Sequence, residues 1–187
     1  MTISLLELQS HLEQLLEPGR FKDYCPNGLQ VEGRPGVSRL VTGVTASQAL
    51  VDEAVAWGAD AILVHHGYFW NGENQAIVGM KRRRVKALLD ADVSLLAYHL
   101  PLDAHPDLGN NVCLGKLMGI SEALPLEPHV VDGLGCIGML SSPLPARLLI
   151  ERINQFTARQ CLHIGDGELP VQRVAWCTGA AQNYLDA

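Results

Sequence analysis

The chain has 187 residues, 48% of them hydrophobic and 18% charged; this is too apolar for disorder and long enough for one core that removes roughly 70% of the unfolded surface from water. Twenty acidic against fourteen basic side chains leave a net charge of −6 and a pI near 5.6, which argues against gripping a nucleic-acid backbone electrostatically. Five scattered cysteines without CxxC spacing, no basic-then-apolar leader in Met1 to Glu17, and no apolar run of about 18 residues read as a reduced cytoplasmic protein, neither secreted nor membrane-spanning.

Ser4 and Glu7 have capping-box spacing, and Leu5, Leu8, Leu12, Leu15 and Leu16 share one helical face until Pro18-Gly19, so the chain opens with an amphipathic helix. A turn-rich stretch, Cys25-Pro26-Asn27-Gly28 and then Gly33 to Gly36, leads into a strand at Leu40 to Val44. Ser47 can cap a helix running to about Trp57, closed by Gly58-Ala59-Asp60. Ala61 to Val64 reads as a second strand, Val78 to Asp90 as a helix and Val93 to Tyr98 as a third strand. This β-α-β-α-β order predicts an α/β fold with a mostly parallel sheet flanked by helices.

A helix is expected over about Leu108 to Leu117, followed by a Pro-rich break at Pro125 to Pro128. A strand follows at Leu134 to Leu140, then Ser142-Pro143 as N-cap and first position of a helix to about Phe156. Val171 to Ala187 overlays Val37 to Glu53 without a gap, pairing Val37 with Val171, Arg39 with Arg173, Ala46 with Ala180, Gln48 with Gln182 and Asp52 with Asp186. Either a second copy of the first strand and helix or chance likeness of two βα units accounts for this. The expected organisation is a first lobe over 1–124, an α+β insertion over 125–170 and the start of a pseudo-repeated, truncated second lobe over 171–187.

The chemistry concentrates at two strand exits. Val64-His65-His66-Gly67 ends the second strand, where parallel α/β sheets bind ligands. Neighbouring strand residues point to opposite faces, so the two imidazoles suit two adjacent ions better than one; one core histidine beside one exposed histidine is the bland alternative. Tyr98-His99-Leu100-Pro101-Leu102-Asp103-Ala104-His105 leaves the third strand in the same register. Imidazole plus carboxylate suits divalent Zn, Mn, Fe or Ni; alternatively Asp103 caps the next helix and His99 bonds to backbone. Asp107 to Asn111 opens that helix, and Asn110 and Asn111 are turn residues or supports for a ligand. Lys81-Arg82-Arg83-Arg84 with Lys86 places five cations in six residues, facing either an anionic ligand or solvent. No Walker A loop, GxGxxG or GxSxG sequence is present.

Taken in order, Pro26-Asn27-Gly28-Leu29-Gln30-Val31, Thr42-Gly43-Val44-Thr45, His65-His66-Gly67 and His99-Leu100-Pro101-Leu102-Asp103 closely resemble the GTP cyclohydrolase 1 type 2 homolog family, YbgI-type proteins with a dinuclear metal centre. The resemblance implies a two-lobed α/β fold with pseudo-repeated halves and a toroidal homohexamer holding metal pairs inside the ring, two divalent ions per subunit. It implies His65 and His66 as ligands of one metal each and Asp103 as a carboxylate ligand, with His99 and His105 close by as candidate acids or bases. The family's late His-x-x-x-Glu pair has no counterpart: no histidine follows His163, and Glu168 is the last glutamate. Three functions fit: a metal-dependent hydrolase acting on a small anionic or nucleotide-like substrate, a non-catalytic metal-binding oligomeric scaffold, or a truncated member with an incomplete site. Membrane and nucleic-acid partners are not expected.

Overall fold

The computed structural model describes residues 2–126 and 134–182; part of the expected Pro-rich break and the end of the overlay, including Asp186, lie outside them. The chain divides into two compact units, Met1–Leu102 and Asp103–Ala187, rather than at the expected 124/125 and 170/171 boundaries.

In the first unit, β1 (Ile3–Ser4) leads directly into α1 (Leu5–Leu16). Ser4 Oγ accepts from Glu7 N at 3.1 Å and Glu7 Oε2 accepts from Ser4 N at 2.8 Å, so the capping box satisfies two backbone N–H groups that lack helical partners. Leu5, Leu8, Leu12 and Leu16 are buried while Leu15 stays exposed. The strands β2 (Gly28–Val31), β3 (Gly36–Val37), β4 (Leu40–Thr45), β5 (Ala61–His66) and β6 (Ser94–Ala97) follow, with α2 (Gln48–Trp57) and α3 (Gly79–Ala91) as crossovers. The main sheet has the order β2-β6-β5-β4; β4, β5 and β6 are parallel, and β2 is antiparallel to β6. The turn-rich stretch thus contains a strand of its own, β2, whose register shifts between Leu29 and Val31.

Alternate residues of β5 and β6 face two cores, as pleated strands buried on both sides require. Ile62, Val64, Leu95 and Ala97 meet Val51, Ala54, Val85 and Leu88 of α2 and α3. Ala61, Leu96 and Tyr98 meet the four leucines of α1. At the opposite end of β5 from its histidines, Asp60 Oδ2 accepts from the backbone N–H groups of Ser38 and Arg39 at 2.8 and 2.9 Å, and Oδ1 from Arg34 at 3.0 Å. The Ser38 bond, reinforced by Arg39 and Arg34, holds the Asp60 carboxyl below its usual range despite burial.

The second unit contains α5 (Asn110–Met118), β7 (Ala123–Pro125), β8 (Cys136–Pro145), α6 (Ala146–Thr157) and β9 (Pro170–Trp176); a short α4 (Leu100–Ala104) spans the division. The strands form an antiparallel sheet, β7-β8-β9, over a core of Met118, Ile120, Leu140 and Leu149 with Trp176 against it. Helix α5 contributes Leu114 and Met118 to this core, which is why the division precedes it. Residues 170–176 complete the same sheet by pairing antiparallel with β8, whereas β4, their counterpart in the overlay, runs parallel to β5. Ser142-Pro143 does not open a helix. Both lie inside β8, in the interval where its register against β9 shifts between Met139 and Leu144, a place where a proline without an N–H is tolerated. The helix starts at Ala146, and its N-cap Pro145 makes no side-chain cap.

Candidate metal centre

The parallel register that pairs Val64 with Ala97 brings the exits of β5 and β6 side by side. His65, His66 and His99 meet there, their ring centroids 4.4, 5.0 and 5.6 Å apart pairwise. Each imidazole offers one nitrogen, and the three nitrogens lie within 4.8 Å of one another.

Every ring has its Nδ1 engaged. His65 Nδ1 lies 3.1 Å from Tyr98 O, and a carbonyl can only accept, so the neutral ring keeps its lone pair on Nε2. His66 Nδ1 lies 3.1 Å from Thr45 Oγ1, across the Thr45 to His66 step of the β4–β5 ladder. His99 Nδ1 lies 2.7 Å from Asp23 Oδ1. A metal-binding histidine typically has its second nitrogen on a carbonyl, hydroxyl or carboxylate, which fixes the tautomer and raises the basicity of the coordinating nitrogen. The donor set therefore fits a divalent transition ion.

Asp23 is the anchor of this arrangement. Its side chain is 3% exposed, and burial alone would push the carboxyl up. Hydrogen bonds from His99, Asn27, Leu100 N and Tyr24 N outweigh burial and hold it at about 2. Asn27 Nδ2 donates to Asp23 at 2.8 Å while its Oδ1 accepts from His99 N at 2.7 Å, so this residue fixes both members of the Asp23–His99 pair. Asp23, Cys25 and His99 form a second group whose ligand atoms lie within 4.8 Å. Burial, with the Asp23 charge behind it, pushes the Cys25 thiol up to about 12, so Cys25 stands as a neutral SH.

Gly67 follows the paired histidines because no larger residue fits. A Cβ there would come within 2.2 Å of Gln30 Oε1 and 2.6 Å of Ala97 Cβ, and that same Gln30 oxygen accepts from Tyr68 N at 2.7 Å. The Pro26-to-Val31 segment thus serves the site twice, with Asn27 under His99 and Gln30 under the turn after His66.

Of the sequence-predicted residues, His65, His66 and His99 come together. Asp103 and His105 belong to the second unit. There Asp103 is 6% exposed and its Oδ1 accepts from Asn110 Nδ2 at 2.7 Å and Thr178 Oγ1 at 3.4 Å. Buried Asn111 donates to Asp103 O at 3.4 Å and accepts from Thr178 N at 2.7 Å. Asp103 does not cap α5, whose N-cap is Gly109. His105 Nδ1 accepts from the backbone N–H groups of Asp107 and Leu108, each at 3.1 Å, which makes it a turn cap. In the cationic run, Arg82, Arg83 and Lys86 are exposed, whereas Lys81 and Arg84 are half-buried. Sequence reasoning missed Asp23 and Cys25; their only signal was their place in the segment just before Pro26-Asn27-Gly28.

Comparison with known proteins gives a consistent result. The model of the family described as Duf34/NIF3 (NGG1p interacting factor 3) matches residues 3–187. A "GTP cyclohydrolase 1 type 2 homolog" from Pseudomonas aeruginosa is 51% identical over 186 residues, covering 100% of this chain and 73% of that protein. The protein of that name from Escherichia coli is 51% identical over 182 residues, covering 97% and 72%. Among solved structures, protein ybgI, described as of unknown function, superimposes with a TM-score of 0.89 at 48% identity, covering 98% of this chain and 73% of that one. A Thermus thermophilus protein gives 0.83 at 32% identity, covering 98% and 74%.

Proposed function

The chain belongs to the Duf34/NIF3 (NGG1p interacting factor 3) family, and from that premise we propose that it is a divalent-metal-binding hydrolase acting on a nucleotide-like substrate. The observation that carries the reading is the trio His65, His66 and His99, with ligand nitrogens within 4.8 Å and every Nδ1 already engaged by the protein. Asp103 joins the proposed ligand set on its sequence position alone. His65, His66 and His99 would hold a divalent ion there, which would supply Lewis acidity and lower the pKa of water.

The protein's own part is to hold and orient. Tyr98 O and Thr45 Oγ1 fix the planes of His65 and His66. Asp23, ionised across the working range, aligns His99 and strengthens its Nε2 as a base or donor. The Trp70 ring stands edge-on to His99, 4.9 Å between centroids. The name of the 51% identical relatives supports a nucleotide-like substrate, and a hexamer carrying two ions per subunit is the assembly proposed with it.

A metal-ordered scaffold without turnover is the second reading. One observation favours it: His105, offered as an acid or base, has its Nδ1 occupied by two backbone N–H groups. Elemental analysis and oligomeric mass on protein purified without chelator test the metal site. The expectation is one to two ions per chain, falling about tenfold or more in a His65→Ala/His66→Ala variant. Asp103→Ala should reduce metal content as well; unchanged content would remove Asp103 from the ligand set. Nucleotide hydrolysis by the loaded protein separates enzyme from scaffold.

A further inference from the structure

Beyond β5 the chain turns through Phe69, whose φ of 65° lies in the left-handed region, and the next residue, Trp70, stands next to the histidines. The Trp70 ring stands edge-on to His99 at 4.9 Å and lies 5.8 Å from His66; its Nε1–H donates to Gly67 O at 3.2 Å. Trp70 also lines a cleft of about 430 Å³ with Phe69, Asn71, Glu73, Gln75 and Lys81. That volume lies within the roughly 300–1,000 Å³ of small-molecule pockets.

Lys81 explains what the cleft is built to read. It starts the cationic run of α3, yet its side chain is only 16% exposed, unlike those of Arg82 and Arg83. Its Nζ lies 5.7 Å from the Phe69 ring centroid, donates to Asn74 O at 3.0 Å and pairs with Glu73 Oε2 at 2.9 Å. The wall therefore presents an ammonium donor and a carboxylate acceptor side by side, fixed next to two aromatic rings. An aromatic surface selects a planar ligand, and a donor beside an acceptor selects an edge with an acceptor next to an N–H.

We propose that this cleft is the subsite for a planar nitrogen heterocycle of the nucleobase type. The ring lies against Trp70 and Phe69, its edge acceptor takes a hydrogen bond from Lys81, and the neighbouring N–H donates to Glu73. The inference deepens the metal-centre reading by naming the ring brought beside the histidines, since Trp70 touches both the cleft and the trio.

Calorimetric titration with inosine, uridine, cytidine, 1-methylinosine and ribose 5-phosphate tests it, with metal content measured on the same samples. Inosine should bind about tenfold or more tightly than 1-methylinosine, which lacks the edge N–H, and Trp70→Leu and Glu73→Gln should each weaken inosine about tenfold without changing metal content. The subsite is wrong if inosine, uridine and cytidine all fail to bind, if 1-methylinosine or ribose 5-phosphate matches inosine, or if both variants bind inosine normally. Metal without nucleoside binding sinks the subsite and spares the centre. Nucleoside binding without metal does the reverse.

Discussion

Two carboxylates, Asp23 and Asp60, are held ionised by hydrogen bonds at opposite ends of the parallel strands. Asp60 joins the start of β4 to the start of β5 through Ser38, Arg39 and Arg34. Its folded pKa lies below its unfolded value, so the stability it contributes is present above the ordinary carboxylate pKa of about 4 and lost as pH falls through the folded value. Asp60→Asn should therefore destabilise the protein by on the order of 2 kcal/mol near neutral pH, and urea titrations should show the gap to wild type closing below about pH 4. A gap independent of pH would mean that shape, not charge, does the work. The histidines were legible because strand exits are where side chains of a parallel sheet gather. Asp23 was not, since its partner His99 lies 76 residues away and a lone aspartate before a proline-glycine stretch looks like turn chemistry. Asp103 was singled out by its place after the third strand and by the resemblance, and in the second unit its carboxylate accepts hydrogen bonds from Asn110 and Thr178.

At the level of elements, the three parallel strands and their two crossover helices announced themselves by apolar runs alternating with helical periodicity. The four-residue β2 escaped because Gly28 and Gln30 break its pattern; what makes it a strand is the open edge of β6. Ser142-Pro143 misled for a related reason: it satisfies local helix-start chemistry, but β9 offers β8 a partner on both sides of the register shift, and tertiary pairing wins over capping propensity. The turn linking β5 to the aromatic cleft is the element most exposed to a small change. Gly67→Ala should force its new methyl against Gln30 Oε1 and Ala97 Cβ, break the Tyr68–Gln30 hydrogen bond and cost about 1–3 kcal/mol. Thermal denaturation would register it, and a wild-type melting temperature would show that Gln30 gives way freely.

Across the molecule, each unit has its own core and its own sheet, and among the described residues no helix is long and apolar enough to cross a membrane. The two halves of the fold were legible to different degrees. The first follows from local pattern, while the second depends on pairings such as Ile137 with Ala175 that no local signal specifies. The 76-residue span between Asp23 and His99 has a kinetic consequence. Loops of that length close late, because their entropy must be overcome before their contacts repay it. If the His99 imidazole likewise reaches His65 and His66 only after the rate-limiting barrier, an ion cannot template the steps before it. Adding Zn or Mn to stopped-flow experiments should leave the refolding rate unchanged and slow unfolding by the full measure of the stabilisation. Apo protein would then be competent to fold before any metal arrives, and the cell could load it afterwards, with the ion acting as a latch.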